Sequence, residues 1–495
     1  MTSETLTPIT NCKYKDWLKN YTFDTCKLNR REYGEFLASY IAGERDGFVL
    51  NLNGAWGTGK TQFLRRLYSL LCGRGYPTIY IDAWESDFSE IPLSVVASEL
   101  INQLSMINEN IGGEFEKIQQ FLGKALKGTI VGGTGLLTKH FLDEASVGTE
   151  AAKALFEKTD QDYLKDVMGN HVEQIEAIKN IRDQLAQLAE VLKQNFSYEL
   201  PVVVLVDELD RCRPNYAIEM LEVIKHFFTT KNFVFVVATD SEQLQHSIKS
   251  VYGSDFDSMT YLKRFFDREA SLSTPDLQYY IRFYPLEQFA NSEGLVLYPY
   301  LANYQSLEIE GLNRYLYWVA LAYKLSIRDI DQLQAKLSAC LRYAEEAFKS
   351  TNSKQYINIF SLMVVIVELD NRLLNINNKE PEKNDLLLNY QTTVFLEMNR
   401  PWNGKRTSFT HIRELLRHFS VKHTVKVKDH FGHEQEQQVY GHDVQTKFRP
   451  SSALAEQVYN DISSTVECFL QEKKNSKFWL WDDYIKLAQL AGNIT

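Results

Sequence analysis

Two stretches of this chain carry residue types that could do chemistry on phosphate. The first is Gly54-Ala55-Trp56-Gly57-Thr58-Gly59-Lys60-Thr61, directly after the apolar run Gly47–Asn53. The spacing G-x-x-x-x-G-K-[ST] falls between an expected strand and an expected helix. Its glycines allow a turn tight enough for backbone N–H groups to surround one anion. Lys60 would reach the β- and γ-phosphates of a nucleoside triphosphate, and the Thr61 hydroxyl would ligate Mg²⁺. A helix over Gln62–Leu71 would aim its positive dipole end at the same anion. Residues Gly54 through Gln62 are therefore the expected nucleotide-holding segment.

The second stretch is Asp207-Glu208-Leu209-Asp210, at the end of the apolar run Pro201–Val206. An uninterrupted apolar run of this length reads as a central parallel strand buried on both faces. A carboxylate at its end, Asp207, suits the holding of Mg²⁺ beside the phosphate loop. Strand alternation would put Glu208 on the opposite face of the pleat, where it could orient or deprotonate an attacking water. Asp-Glu in this position favours hydrolysis. Thr239 and Asp240 end the next apolar run, Asn232–Ala238, and are read as candidates to report the γ-phosphate, the alternative being a cap for the following helix.

Composition bounds these readings. The chain has 495 residues, 44% hydrophobic and 24% charged, with room for roughly two to four domains. A net charge of −10 argues against wholesale nucleic-acid coating. Six scattered cysteines form no C-x-x-C pair, which points to neither zinc nor a disulfide framework and to a reduced, cytoplasmic setting. No run reaches the roughly 18 apolar residues of a membrane span; the nearest is the glycine-rich segment Gly128–Leu137.

The elements needed to position the two motifs follow from periodicity. Helical spacing runs over Arg30–Ala42, Leu93–Met106 and Leu164–Gln194. Strands are expected at Thr78–Ala83 and Glu269–Leu272 as well as before each motif, so strands and helices alternate as in a parallel α/β sheet. Beyond Pro275 the pattern is helical, with candidates at Arg314–Tyr323, Ile327–Phe348 and Tyr356–Leu374. A hairpin is expected from Val421–Lys428 to Gln437–Tyr440.

These residues together resemble the KAP P-loop NTPases, a family named for animal membrane proteins and bacterial phage-exclusion ATPases. The resemblance covers about Asp24 to Leu337. It rests on the lead-in Leu28-Asn-Arg-Arg-Glu-Tyr-Gly-Glu-Phe-Leu37, the loop with Trp56, Asp82-Ala-Trp84, and above all Val206-Asp-Glu-Leu-Asp-Arg-Cys212. It implies a five-stranded parallel sheet of the additional-strand, catalytic-Glu branch, with a helical insertion near 107–198. The core would span 1–275, followed by a helical lid at 276–350 and a mainly helical accessory domain with a small hairpin at 351–495. It further implies ATP and Mg²⁺ as cofactors. Tyr261-Leu-Lys-Arg264 resembles the segment whose basic residue enters a neighbour's site, so Arg264 is a candidate to act from another subunit. Arg328, in Ser326-Ile-Arg328, resembles the lid arginine that could touch the γ-phosphate.

The function implied is an ATPase acting as a switch or assembly motor in bacterial anti-phage defence, as a homo-oligomer or with partners encoded nearby. A small-molecule kinase and a non-hydrolysing scaffold are the alternatives. Lys422, Lys426 and Lys428 with Phe431 and Tyr440 could contact nucleic acid, though a solvated hairpin face explains them as well. His430, His433 and His442 lack the partners of a metal site.

Overall fold

The computed structural model describes residues 7–88, 92–107, 171–299, 311–373, 395–396, 407–428, 434–443, 453–472 and 475–492, apart from isolated positions. The Gly128–Leu137 run, Phe431, His430 and His433 lie outside these residues. The chain divides into two compact units, Met1–Thr274 and Pro275–Thr495, each with its own core.

The first unit runs α1 (Arg31–Gly43), β1 (Phe48–Asn53), α2 (Lys60–Gly73), β2 (Thr78–Asp82), α3 (Pro92–Ile107), α4 (His171–Phe196), β3 (Val202–Asp207), α5 (Pro214–Phe227), β4 (Phe233–Thr239), α6 (Ser241–Tyr252), α7 (Ser258–Leu262) and β5 (Arg268–Ser271). The five strands form one parallel sheet in the order β2-β3-β4-β1-β5. The strand β4 thus lies between the strand that feeds the phosphate loop and the strand that ends in Asp207. Every residue of β3 and β4 is buried, as their unbroken apolar composition requires of central parallel strands. Helix α2 packs on β2, β3 and β4 and buries Phe63, Leu64, Leu67, Tyr68 and Leu71, each of which contributes roughly 1.5–3 kcal/mol.

Because all five strands run the same way, their C-terminal ends share one edge. The register sets Asn53 beside Thr239 and Asp82 beside Asp207. The backbone N–H of Gly54 continues the ladder by donating to Thr239 O at 3.0 Å. The phosphate loop, Asp207 and Thr239 are therefore brought to one edge by strand pairing alone.

The second unit holds β6 (Leu295–Tyr298), α8 (Asn313–Ala322), α9 (Ile327–Thr351), β7 (Lys354–Asn358), α10 (Ile359–Asp370), α11 (Phe409–Phe419), β8 (Lys422–Lys428), β9 (Glu434–Tyr440), α12 (Ala453–Gln471), β10 (Ser476–Phe478) and α13 (Trp481–Gly492). The helix expected over Tyr356–Leu374 begins later, because Tyr356–Asn358 pairs into a three-stranded parallel sheet, β10-β7-β6. Asn358 then starts α10 by accepting a hydrogen bond from Ser361 N at 2.9 Å. Helix α10 is buried all round from Ile359 to Glu368. The charge of Glu368 is met there by Arg413 Nη2, which donates to Oε2 at 2.8 Å, and by the Tyr323 hydroxyl, which donates to Oε1 at 2.6 Å. The hairpin β8–β9 is longer than expected, with Lys426 paired to Glu434 at 3.4 Å and Lys422 over the Tyr440 ring.

Candidate functional site

The loop after β1 is a cradle of backbone N–H groups. Gly57 and Gly59 have φ of 83° and 85°, a left-handed backbone that a side chain would strain. Thr58 closes the turn by donating both N–H and hydroxyl to Ala55 O, at 3.2 and 2.8 Å. The first helical bond of α2 runs from Phe63 N to Gly59 O, so the N–H groups of Lys60, Thr61 and Gln62 have no helical acceptor. The exposed Gln62 side chain accepts from Arg66 Nη1 at 2.9 Å through its Oε1.

Asp207 ends β3 fully buried. Its Oδ1 accepts from Glu208 N at 2.9 Å and its Oδ2 from the Tyr80 hydroxyl at 2.8 Å. Burial pushes this carboxyl up to about 6, against the opposing pull of the Tyr80 and Thr61 hydroxyls and the Glu208 N–H. Burial and the adjacent carboxylate raise the Tyr80 phenol, which stays a donor.

Glu208 departs from the expectation of strand alternation. Its φ of 58° turns the chain into a left-handed bend directly after β3. Its carboxylate comes to the phosphate-loop side, where Oε1 accepts from the Thr61 hydroxyl at 3.2 Å and Oε2 meets Arg211 at 3.1 Å. Thr61 thus stands between both acidic residues. A non-glycine residue in this backbone region costs of order 1 kcal/mol, a strain often found at functional sites.

Lys60 donates to Gly54 O at 2.7 Å and lies 3.5 Å from Asp210 Oδ2. Thr239 is fully buried, and its hydroxyl donates to Asn51 Oδ1 at 2.8 Å within the sheet. Asp240 caps α6 through Glu242 N and Gln243 N, and its other oxygen accepts from Trp56 N at 3.0 Å. Arg264 is exposed just before β5. The neighbouring Asp267 bonds Val49 through both its N–H and its carboxylate, which sets this stretch beside the start of β1. The loop leaves the other end of β1, about one strand length, ~20 Å, away. Arg328 is exposed in the first turn of α9, in the second unit, behind the Ser326–Asp329 capping box.

The structure adds residues that sequence reasoning passed over. Tyr80 alternates with Asp82 on β2, which places both on one face; that spacing was the available signal. Arg30, inside the quoted lead-in, is buried and donates to Thr58 O and Ser273 O, both at 2.7 Å. It ties the loop to the segment after β5, and burial lowers its pKa.

Such a sheet order, with a glycine-rich phosphate loop and acidic residues on the strand beyond β4, defines a P-loop NTPase of the additional-strand branch. The profile of the KAP family P-loop domain matches residues 30–293, more than half of the chain, and the protein belongs to that family. No curated protein sequence matches it. Among solved structures it is similar to C. elegans PCH-2, at 13% identity over 68% of this chain and 72% of that one, with a TM-score of 0.28. It is also similar to the Aeropyrum pernix ORC2 protein in its ADPNP–ADP complexes, at 14% identity over 92% and 99% of the two chains, with a TM-score of 0.30. Likeness at this level identifies neither a substrate nor a partner. Among the described residues, no helix is long and apolar enough to cross a membrane.

Tyr80→Phe keeps the shape of the buried tyrosine but removes the donor to Asp207 Oδ2. It should lower the unfolding free energy of the nucleotide-free protein by about 1–3 kcal/mol, the cost of an unsatisfied buried acceptor. Urea denaturation gives the value, and an unchanged midpoint would show that this hydroxyl does not hold the carboxylate.

Proposed function

We propose that this protein is a Mg²⁺-dependent ATPase that works as a conformational switch or assembly motor. The observation carrying this reading is the convergence of Thr61 on Glu208 and Asp207, with Lys60 and the unpaired N–H groups of the loop beside them. The donor set fits the cation: a hydroxyl and a carboxylate offer only hard oxygens, as Mg²⁺ requires when phosphates complete its shell. Thr61 and Asp207 would hold it, and when bound it supplies positive charge to the phosphate oxygens.

Lys60 neutralises the β- and γ-phosphates, and the amides of Gly57 and of Gly59 to Gln62 orient them. Glu208, turned toward the loop by its left-handed backbone, accepts a proton from water aimed at the γ-phosphate. Asp240 reads the occupied loop through Trp56 N, and Thr239 supports that strand end from within the sheet. Arg264, at the opposite edge of its own sheet, serves a neighbouring subunit's site, and Arg328 couples the second unit to nucleotide state. The nucleotide-binding core ends near 275, and the segments 276–350 and 351–495, expected as lid and accessory domain, work as one unit because they share a core and a three-stranded sheet. Bacterial anti-phage defence, a cytoplasmic location and partners encoded nearby are supported by the family resemblance alone.

Lys60→Ala should abolish tight ATP binding in calorimetry, because the loop loses its cation; undiminished affinity would refute the phosphate-loop assignment. Glu208→Gln should bind ATP but hydrolyse it roughly 10²–10⁴-fold more slowly, as for loss of a general base. Parental turnover in that variant would assign the water to another residue.

Arg264→Ala should lose hydrolysis and keep ATP binding, and mixing it with the Glu208→Gln protein should restore part of the rate. An inert mixture, together with parental activity strictly linear in protein concentration, would remove Arg264 from any neighbour's site.

A further inference from the structure

Asp210 has no part in the proposed mechanism, yet it is a buried acid that faces the loop. It lies in the short turn Leu209–Arg211, fixed by the buried Leu209. Its side chain is 2% exposed. Its Oδ2 accepts from Trp56 Nε1 at 2.5 Å and lies 3.5 Å from Lys60 Nζ. Its Oδ1 is buried with no hydrogen-bond partner among the described residues. Trp56 is otherwise 57% exposed, so this single polar bond holds a side chain that solvent nearly surrounds. The main chain of Trp56 is pinned separately, through its N–H to Asp240.

We propose that Asp210 is a positioning residue that latches the phosphate loop, its carboxylate gripping Lys60 and the Trp56 indole together and competing with phosphate for the lysine. This rests on the nucleotide reading of the loop and assigns that site a built-in restraint. A buried carboxylate needs compensating charge, and Lys60 is the cation that the geometry supplies. Transfer of Lys60 to a polyphosphate leaves Asp210 with the indole N–H alone. Part of the phosphate binding energy is therefore spent on releasing the latch, and the strength of the indole bond sets how much. The two partners consequently act in opposite directions. Removing the carboxylate charge frees Lys60 for phosphate. Removing the indole donor leaves the carboxylate more dependent on Lys60.

The test uses the full chain, with ADP as the probe. Asp210→Asn keeps an oxygen for the indole but loses its grip on the ammonium, and should bind ADP on the order of tenfold more tightly in calorimetry. Trp56→Phe should bind ADP more weakly than the parent. In spectra of protein labelled with ¹⁵N-tryptophan, the indole N–H peak lost in Trp56→Phe identifies Trp56. That peak should move to a solvent-exposed position in nucleotide-free Asp210→Ala. A merely structural Asp210 would not produce opposite affinity changes in the two variants. ADP binding by Asp210→Asn that is equal to or weaker than the parent's overturns the latch, even where Lys60→Ala shows the loop to be the nucleotide site. If the parent binds no ADP, the nucleotide reading fails separately. The indole peak then decides whether Asp210 holds Trp56: an unmoved peak in Asp210→Ala overturns the latch, and a moved one supports it.

Discussion

The arrangement depends on one constraint: β4 pairs in parallel between β1 and β3. The ladder carries on past the strand, with Gly54 N donating to Thr239 O, so the phosphate loop starts where the sheet still fixes the backbone. Inserting a strand between loop and acid separates them by two strand spacings, roughly 10 Å at the backbone. Side chains bridge that gap: Thr61 and Lys60 reach from the head of α2 toward the turn after β3, and Trp56 leans to Asp210.

Packing acidic groups at such an edge creates an electrostatic problem that each residue meets differently. Asp207 is buried and is held by the Tyr80 phenol and the Glu208 amide. Glu208 lies between Thr61 and Arg211. Asp240 neutralises a helix start while bonding the loop. Asp210 has a lysine and an indole. Buried charges without such partners would cost several kcal/mol each, so the hydrogen bonds that position the site are also those that let it fold. On the far side of the loop, Arg30 satisfies two backbone carbonyls and links α1 to the segment after β5.

The second unit solves its packing by a different route. Its central helix α10 is buried around its full circumference and almost wholly apolar, so it needs neighbours on every side, and the Glu368–Arg413–Tyr323 cluster is the polar contact set inside that shell. A helix without a polar face has no 3.6-residue rhythm to mark where it begins. Short strands such as β6 and β10 span too few residues for alternation to register. That is why the three-stranded sheet was not legible, whereas the long central strands and the amphipathic helices α2 and α9 were.

By itself, the sequence determined what is local: a glycine-rich turn followed by Lys60 and Thr61, apolar runs that can only be buried strands, and an acid at the end of one of them. Contiguous residues are enough for these, because backbone geometry and strand burial act within a few positions. The tertiary structure alone decided the face that Glu208 presents, since a left-handed bend overrides pleat alternation. It alone joined Tyr80 to Asp207, Arg30 to Thr58, and Asp210 to Trp56 and Lys60. Each of these is a contact between residues on different elements. Its existence depends on strand order and on which polar groups must find partners once water is excluded, and neither is written in the spacing of any one segment.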